Sequence, residues 1–85
     1  MEKIVKVGRV ELLESEALKM YNENKYIVTY SAIFQLFYSV NAGVYGQKIY
    51  QIATKGKGGF TRRGRFYAMD AKTVNHLVGF SLVNE

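Results

Sequence analysis

The densest gathering of functional groups in the chain is KGKGGFTRRGRFYAMD, residues 55–70. Lys55, Lys57, Arg62, Arg63 and Arg65 fall within eleven residues, spaced by Gly56, Gly58, Gly59 and Gly64, with Phe60 in the middle. A guanidinium presents a planar fork of donors that matches phosphate bidentately, and an ammonium adds a point charge. Glycine lets the backbone itself come close to a partner. An aromatic ring among such cations can stack on an unpaired base or wedge into a groove. These residue types predict a contact surface for nucleic acid or a nucleoprotein complex. Arg62, Arg63 and Arg65 are expected on phosphates, Lys55 and Lys57 supply longer-range attraction, and Phe60 stacks or wedges. The same residues also fit an acidic protein surface as partner, or a solvated hairpin tip with Phe60 folded back on the core.

Chemistry beyond binding finds little purchase. Gly59 and Gly64 have the spacing of a phosphate-binding loop, but Arg65-Phe66 stands where Lys-Ser/Thr is needed. The dinucleotide pattern that begins at Gly56 and Gly58 meets Thr61 in place of its last glycine. There is no cysteine, hence no disulfide framework and no thiolate ligand. His76 is the single histidine; Asp70 lies six residues before it, about 120° around a helix, so the two do not pair along one face. Glu11, Glu14, Glu16 and Glu23 read as the solvated side of a helix rather than as an acid–base pair. The expectation is a non-enzymatic protein without cofactor or metal. The enzymatic alternative is an RNA-cleaving toxin that works with arginine, lysine and tyrosine alone, drawing on Arg62, Arg63, Arg65, Lys48, Tyr50 and Tyr67.

The elements that must hold the basic loop can be read from periodicity. Lys3–Val7 is short and β-rich, and Gly8 follows. From Val10 the period changes: Val10, Leu13, Ala17 and Met20 or Tyr21 fall on one helical face up to residue 23. Ser15 is a second candidate N-cap, with the strand then running on to Leu12. Asn22 and Asn24 suit the helix stop. Residues 26–40 alternate without a break, and the even positions Tyr26, Val28, Tyr30, Ala32, Phe34, Leu36, Tyr38 and Val40 are expected to face the core. Fifteen residues is long for one strand, so a bend is expected near Ser31–Ala32. A turn at Asn41-Ala42-Gly43 returns the chain as a strand over 44–53, in which Gly46 marks a bulge or a close backbone approach. Beyond the basic loop, residues 65–69 pair back onto 44–53. Asp70 caps a helix with the apolar face Ala71, Val74, Leu77 and Val78 and a terminal glycine, Gly79. Phe80–Val83 forms a last strand. The sum is an α+β domain, one antiparallel sheet of 4–5 strands with both short helices on one face, in the order β-α-β-β-β-α-β over residues 1–85.

Charge placement sharpens the functional reading. The chain carries a net +5, yet residues 24–69 hold no acid at all and amount to +7, while each flank nets −1. Such a middle favours phosphates or an acidic surface. An apolar content of 48% predicts a folded core, and the absence of proline argues against a rigid linker. No apolar run reaches the ~18 residues of a membrane span, and MEKIVKVGRV lacks a signal-peptide core. The expected location is the cytoplasm, with no membrane partner, and long strands leave edges through which the chain could form a homodimer.

The short length, the lack of cysteine and proline, the strand YIVTYSAIFQLFYS and the run TRRGRFYAMDAKTVNHL resemble small accessory proteins of Gram-positive phages and mobile elements, some of them anti-CRISPR inhibitors. The resemblance implies action in the host cytosol against a nucleoprotein effector. Many such inhibitors are acidic mimics of nucleic acid, and the positive middle departs from that pattern. It implies a grip on guide RNA, bound DNA or an acidic protein patch. An inhibitor acting by protein contact would use the polar positions Thr29, Ser31, Gln35 and Ser39 or an exposed sheet edge.

Overall fold

The computed structural model describes residues 2–52 and 58–85. Two strands open it, Ile4–Val7 (β1) and Val10–Leu13 (β2), paired antiparallel with Val5 opposite Leu12 and Val7 opposite Val10. Gly8, at φ +64°, is the first of two turn residues, the position where a tight hairpin favours glycine. The helix Glu14–Asn22 (α1) therefore starts after the second strand, not at Val10. Ser15 lies inside it. The N-terminal turn is capped from a distance: Ser15 N–H donates to Glu2 Oε1 at 3.0 Å, and Glu14 N–H donates to the Lys3 carbonyl. Asn24, at φ +57°, supplies the left-handed residue expected beyond the helix end.

Residues 26–40 form two strands. Tyr26–Val28 (β3) turns through Tyr30 and Ser31 into Ala32–Ser39 (β4), and the two pair antiparallel with Ile27 opposite Phe34 and Val28 opposite Ile33. Thr29 closes the turn, its N–H and its Oγ1 both donating to the Ala32 carbonyl. A two-residue turn places the even positions of β3 on the same face as the odd positions of β4. Both parities are consequently buried: Ile27 and Val28 are each 0% exposed. Gly43–Gln51 (β5) continues the meander along β4, and Tyr67–Met69 (β6) joins the far side of β3, giving the order β5-β4-β3-β6. The expected pairing of 65–69 with 44–53 is thus replaced by pairing with β3.

The last helix, Ala71–Val78 (α2), has the expected ends. Asp70 accepts from Thr73 N–H at 2.8 Å, and Gly79 takes φ +82°. Phe80–Val83 is not a strand. Asn75 holds it instead, its Oδ1 accepting from the N–H groups of Leu82 and Val83 and its Nδ2 donating to the Val83 carbonyl.

Among the described residues the architecture is α+β with two antiparallel sheets and two helices, in the order β-β-α-β-β-β-β-α. The four-stranded sheet is covered on both faces. On one side the β1–β2 hairpin and α1 enclose Val7, Leu12, Ala17, Ile27, Phe34 and Leu36. On the other, α2 and the C-terminal segment enclose Tyr26, Val28, Ile33 and Val74. The helices lie on opposite faces, not together, because the turn at Tyr30-Ser31 divides one apolar alternation between two cores. Among the described residues, no helix is long and apolar enough to cross a membrane.

Candidate functional site

The basic segment is fixed at both ends of its described part. Phe60 is half-buried in the α2-side core, with its ring 6.1 Å from that of Tyr50. Phe66 packs against the core on the other face. Between them the chain rounds the end of the sheet at the β3–β4 turn, where Phe60 N–H donates to the Tyr30 carbonyl at 2.8 Å. A side chain at Gly59 would collide with that carbonyl oxygen, so the approach requires glycine there. Residues 62–65 then form a tight turn. Arg65 N–H donates to the Arg62 carbonyl at 3.1 Å, Gly64 adopts φ +80°, and Thr61 Oγ1 is placed to donate to the Arg62 and Arg65 carbonyls. The Arg63 guanidinium lies 5.2 Å from the centre of the Tyr30 ring, a cation–π distance.

This turn forms one wall of a groove of about 610 Å³ on the β1–β2 side of the sheet. Arg63 and Arg65 line it from the turn, Arg9 from the β1–β2 hairpin, and Lys48 from β5. Among the described residues, no acidic side chain lines it. Arg9, Lys48, Arg63 and Arg65 are all exposed, whereas Ala32 and Phe34, which also line the groove, are buried.

Two local features bring Arg9 and Lys48 to the same place. Gly8 packs so closely on the end of the Phe34 ring that a Cβ there would come within 2.7 Å of it. This contact seats the β1–β2 turn, and Arg9 with it, over the sheet. Gly46 is approached equally closely by Val7, which is the close backbone contact its position in a strand suggested. In β5, the register shifts between Ile33, opposite Tyr50, and Phe34, opposite Lys48, so that Ile49 is an extra residue. The bulge sends both Ile49 and Tyr50 into the α2-side core and leaves Lys48 and Gln51 together at the groove. There the Lys48 ammonium donates to Gln51 Oε1 at 3.2 Å.

Of the six residues singled out by the sequence, Arg63 and Arg65 line the groove. Arg62 is exposed outside it, and Phe60 is turned into the core instead of standing free to stack. Lys55 and Lys57 lie outside the described residues. The alternative ribonuclease set is divided. Lys48 faces the groove, while Tyr50 packs between Phe60 and Phe80 on the opposite face, and Tyr67 is exposed on β6. His76 is exposed on α2. Among the described residues, no group of three or more histidines and carboxylates could hold a metal ion. Sequence reasoning missed Arg9, because it read a helix from Val10 where a hairpin turn ends. The available signal was Gly8 followed by a single residue between two β-rich runs.

Polar groups around the groove are donors for the most part: two kinds of cation on three separate segments, with Thr29 and Ser31 beside them. The arrangement can bind an anion at several points at once. Comparison with known proteins gives no relative: the chain matches no family model, and no curated protein or solved structure is significantly similar to it.

Proposed function

We propose that this protein is a non-enzymatic binding module that docks on nucleic acid, free or within a nucleoprotein complex, through its basic turn and the groove beside it. The observation that carries this reading is the convergence of Arg9, Lys48, Arg63 and Arg65 on one groove lined by no carboxylate. Four cations from three segments of a fold need a reason to gather, since their mutual repulsion opposes it. A polyanion with regularly spaced charges supplies one. Arg62 adds a further exposed cation to the turn, and in sequence Lys55 and Lys57 belong with it to the acid-free stretch 24–69. Phe60 serves the reading as an anchor of the turn, not as a stacking ring. An action in the host cytosol on a nucleoprotein effector is consistent with the resemblance of the sequence to accessory proteins of phages and mobile elements.

Binding to a labelled oligonucleotide tests it. Affinity should fall with salt along a log–log slope of about −2 to −4, the release expected for three or four phosphate contacts. The double variant Arg62→Ala/Arg63→Ala should weaken binding while keeping the fold, because both side chains are exposed. If that variant stays folded and binds DNA, RNA and nucleoprotein as the wild type does, the reading is wrong.

A further inference from the structure

We infer that the groove selects single-stranded nucleic acid over duplex, with Arg9 and Lys48 among its phosphate contacts and the Tyr30–Arg63 pair as the surface on which a base rests; the inference builds on the reading above. The first argument is shape. Proteins that read duplex DNA insert a projecting helix or β-ribbon into a groove about 12 Å wide. Here the cations surround a recess, with the buried Ala32 and Phe34 among its lining residues, and none of the four sits on a projecting helix. A duplex holds its phosphates on a stiff convex surface, which meets a recess only at the rim. A single strand is flexible enough to enter one and to bring successive phosphates to opposite walls.

The second argument is the chemistry at the rim. Arg63 lies over the face of Tyr30 at 5.2 Å, so an aromatic ring and a guanidinium plane are already assembled next to the phosphate-binding cations. Single-strand binders combine these two parts, a positive track for the backbone and flat groups for the bases. Stacking of this kind accepts any base. With the cations engaged by phosphates and stacking, the hydrogen-bonding side chains left among the described lining residues are Gln51, which already engages Lys48, the Tyr30 phenol and the small hydroxyls Thr29 and Ser31. The ligand class is therefore a short stretch of single-stranded RNA or DNA, bound with little regard to sequence.

The groove also adds residues that the linear cluster does not contain. Arg9 lies 54 residues before Arg63 and reaches the site only because a two-residue turn seats it there. Lys48 reaches it because of the bulge at Ile49. Both are exposed and neither packs in either core, so each can be replaced without loss of the fold.

The experiment measures fluorescence anisotropy of the full chain with labelled single-stranded oligonucleotides of about 12 nucleotides, mixed-sequence RNA and DNA, against a DNA duplex of the same length. The expected result is at least about tenfold tighter binding of the single strands, with a salt slope of about −2 to −3, since each contact to a single strand contributes roughly −0.7. Arg9→Ala/Lys48→Ala should weaken single-strand binding about tenfold or more and flatten the slope by about 1. Lys72→Ala, on α2, should change neither. Duplex bound as tightly as single strand, or an Arg9→Ala/Lys48→Ala protein that binds single strands like the wild type, overturns this inference and leaves the general reading in place. Failure of the wild-type chain to bind any of the three probes overturns this inference, and failure to bind a nucleoprotein complex as well overturns both.

Discussion

Single side chains decide where several of the elements end, and Asp70 is the clearest. Its carboxylate accepts from Thr73 N–H at 2.8 Å at the start of α2. The hydrogen bonds from Thr73, side chain first and backbone second, hold the Asp70 carboxyl below the usual carboxylate range, with weaker help from the charges of Lys25 and Lys72. A group whose acidity is raised by folding stabilises the fold fully above its unfolded pKa, and the contribution disappears as pH falls through the folded value. The urea midpoint of the wild type should therefore drop across roughly pH 5 to 2 more steeply than that of Asp70→Asn. The asparagine keeps an oxygen for the Thr73 N–H but has no charge to lose. The two proteins should differ most near neutrality and converge in acid. Parallel curves over the whole range would mean that Asp70 contributes nothing through its charge. Asn75 acts by shape alone, holding residues 82 and 83 with three hydrogen bonds where the sequence suggested a strand. The apolar run FSLV was legible; the side chain that would claim its backbone groups, seven and eight residues earlier on a helix, was not.

Among the elements, the β3–β4 hairpin has the largest consequence. Its turn, Tyr30-Ser31, contains no glycine, proline, asparagine or aspartate; strand length points to a bend near Ser31–Ala32, but the alternation runs through unbroken and gives no sign of a full reversal. Strands β1, β5 and β6, the Gly43 turn and the ends of α2 could be read from pattern and cap chemistry. The fold of β3 and β4 back on each other could not, because turn type here is set by pairing and burial, not by residue preference. The outcome is testable at Ile27 and Ile33. Both occupy odd positions, which a one-sided sheet would leave facing solvent. Instead each is fully buried, Ile27 against the β1–β2 hairpin and α1, Ile33 against α2. Ile27→Val and Ile33→Val should each cost about 1 kcal/mol in urea unfolding, the usual penalty for a methylene lost from a packed site. Their sum should be nearly additive, since the two lie on opposite faces of the sheet. A change at either position within ~0.5 kcal/mol, as on a surface, would contradict a sheet packed on both sides. The same division explains how the basic turn is held. Phe60 belongs to one core and Phe66 to the other, so the turn between them spans the sheet edge with an anchor on each face.

For the molecule as a whole, the cations that make the groove work against the fold that carries it. Arg9, Lys48, Arg63 and Arg65 share one concave surface with no lining carboxylate, and their fields add there. Salt screens such charges over about 10 Å at 0.1 M, which relieves their repulsion and weakens their attraction for a polyanion at the same time. Two opposite responses should follow from one set of residues. Between about 0.02 and 0.3 M NaCl the thermal midpoint should rise by about 2–4 °C, a modest step for a domain of this size, while oligonucleotide affinity falls. Lys48→Gln/Arg65→Gln should raise the low-salt midpoint and flatten its dependence on salt, and should lose affinity in the same measure. That pairing is the mark of a site kept for binding at the expense of stability. Lys72→Gln, which removes a cation from α2 outside the groove, serves as the control. A midpoint that is flat or falls over this range, or a groove variant no more stable at low salt than the Lys72 variant, would show that the four cations are too far apart or too well solvated to act as one site. The convergence that supports nucleic-acid binding would then have no energetic content.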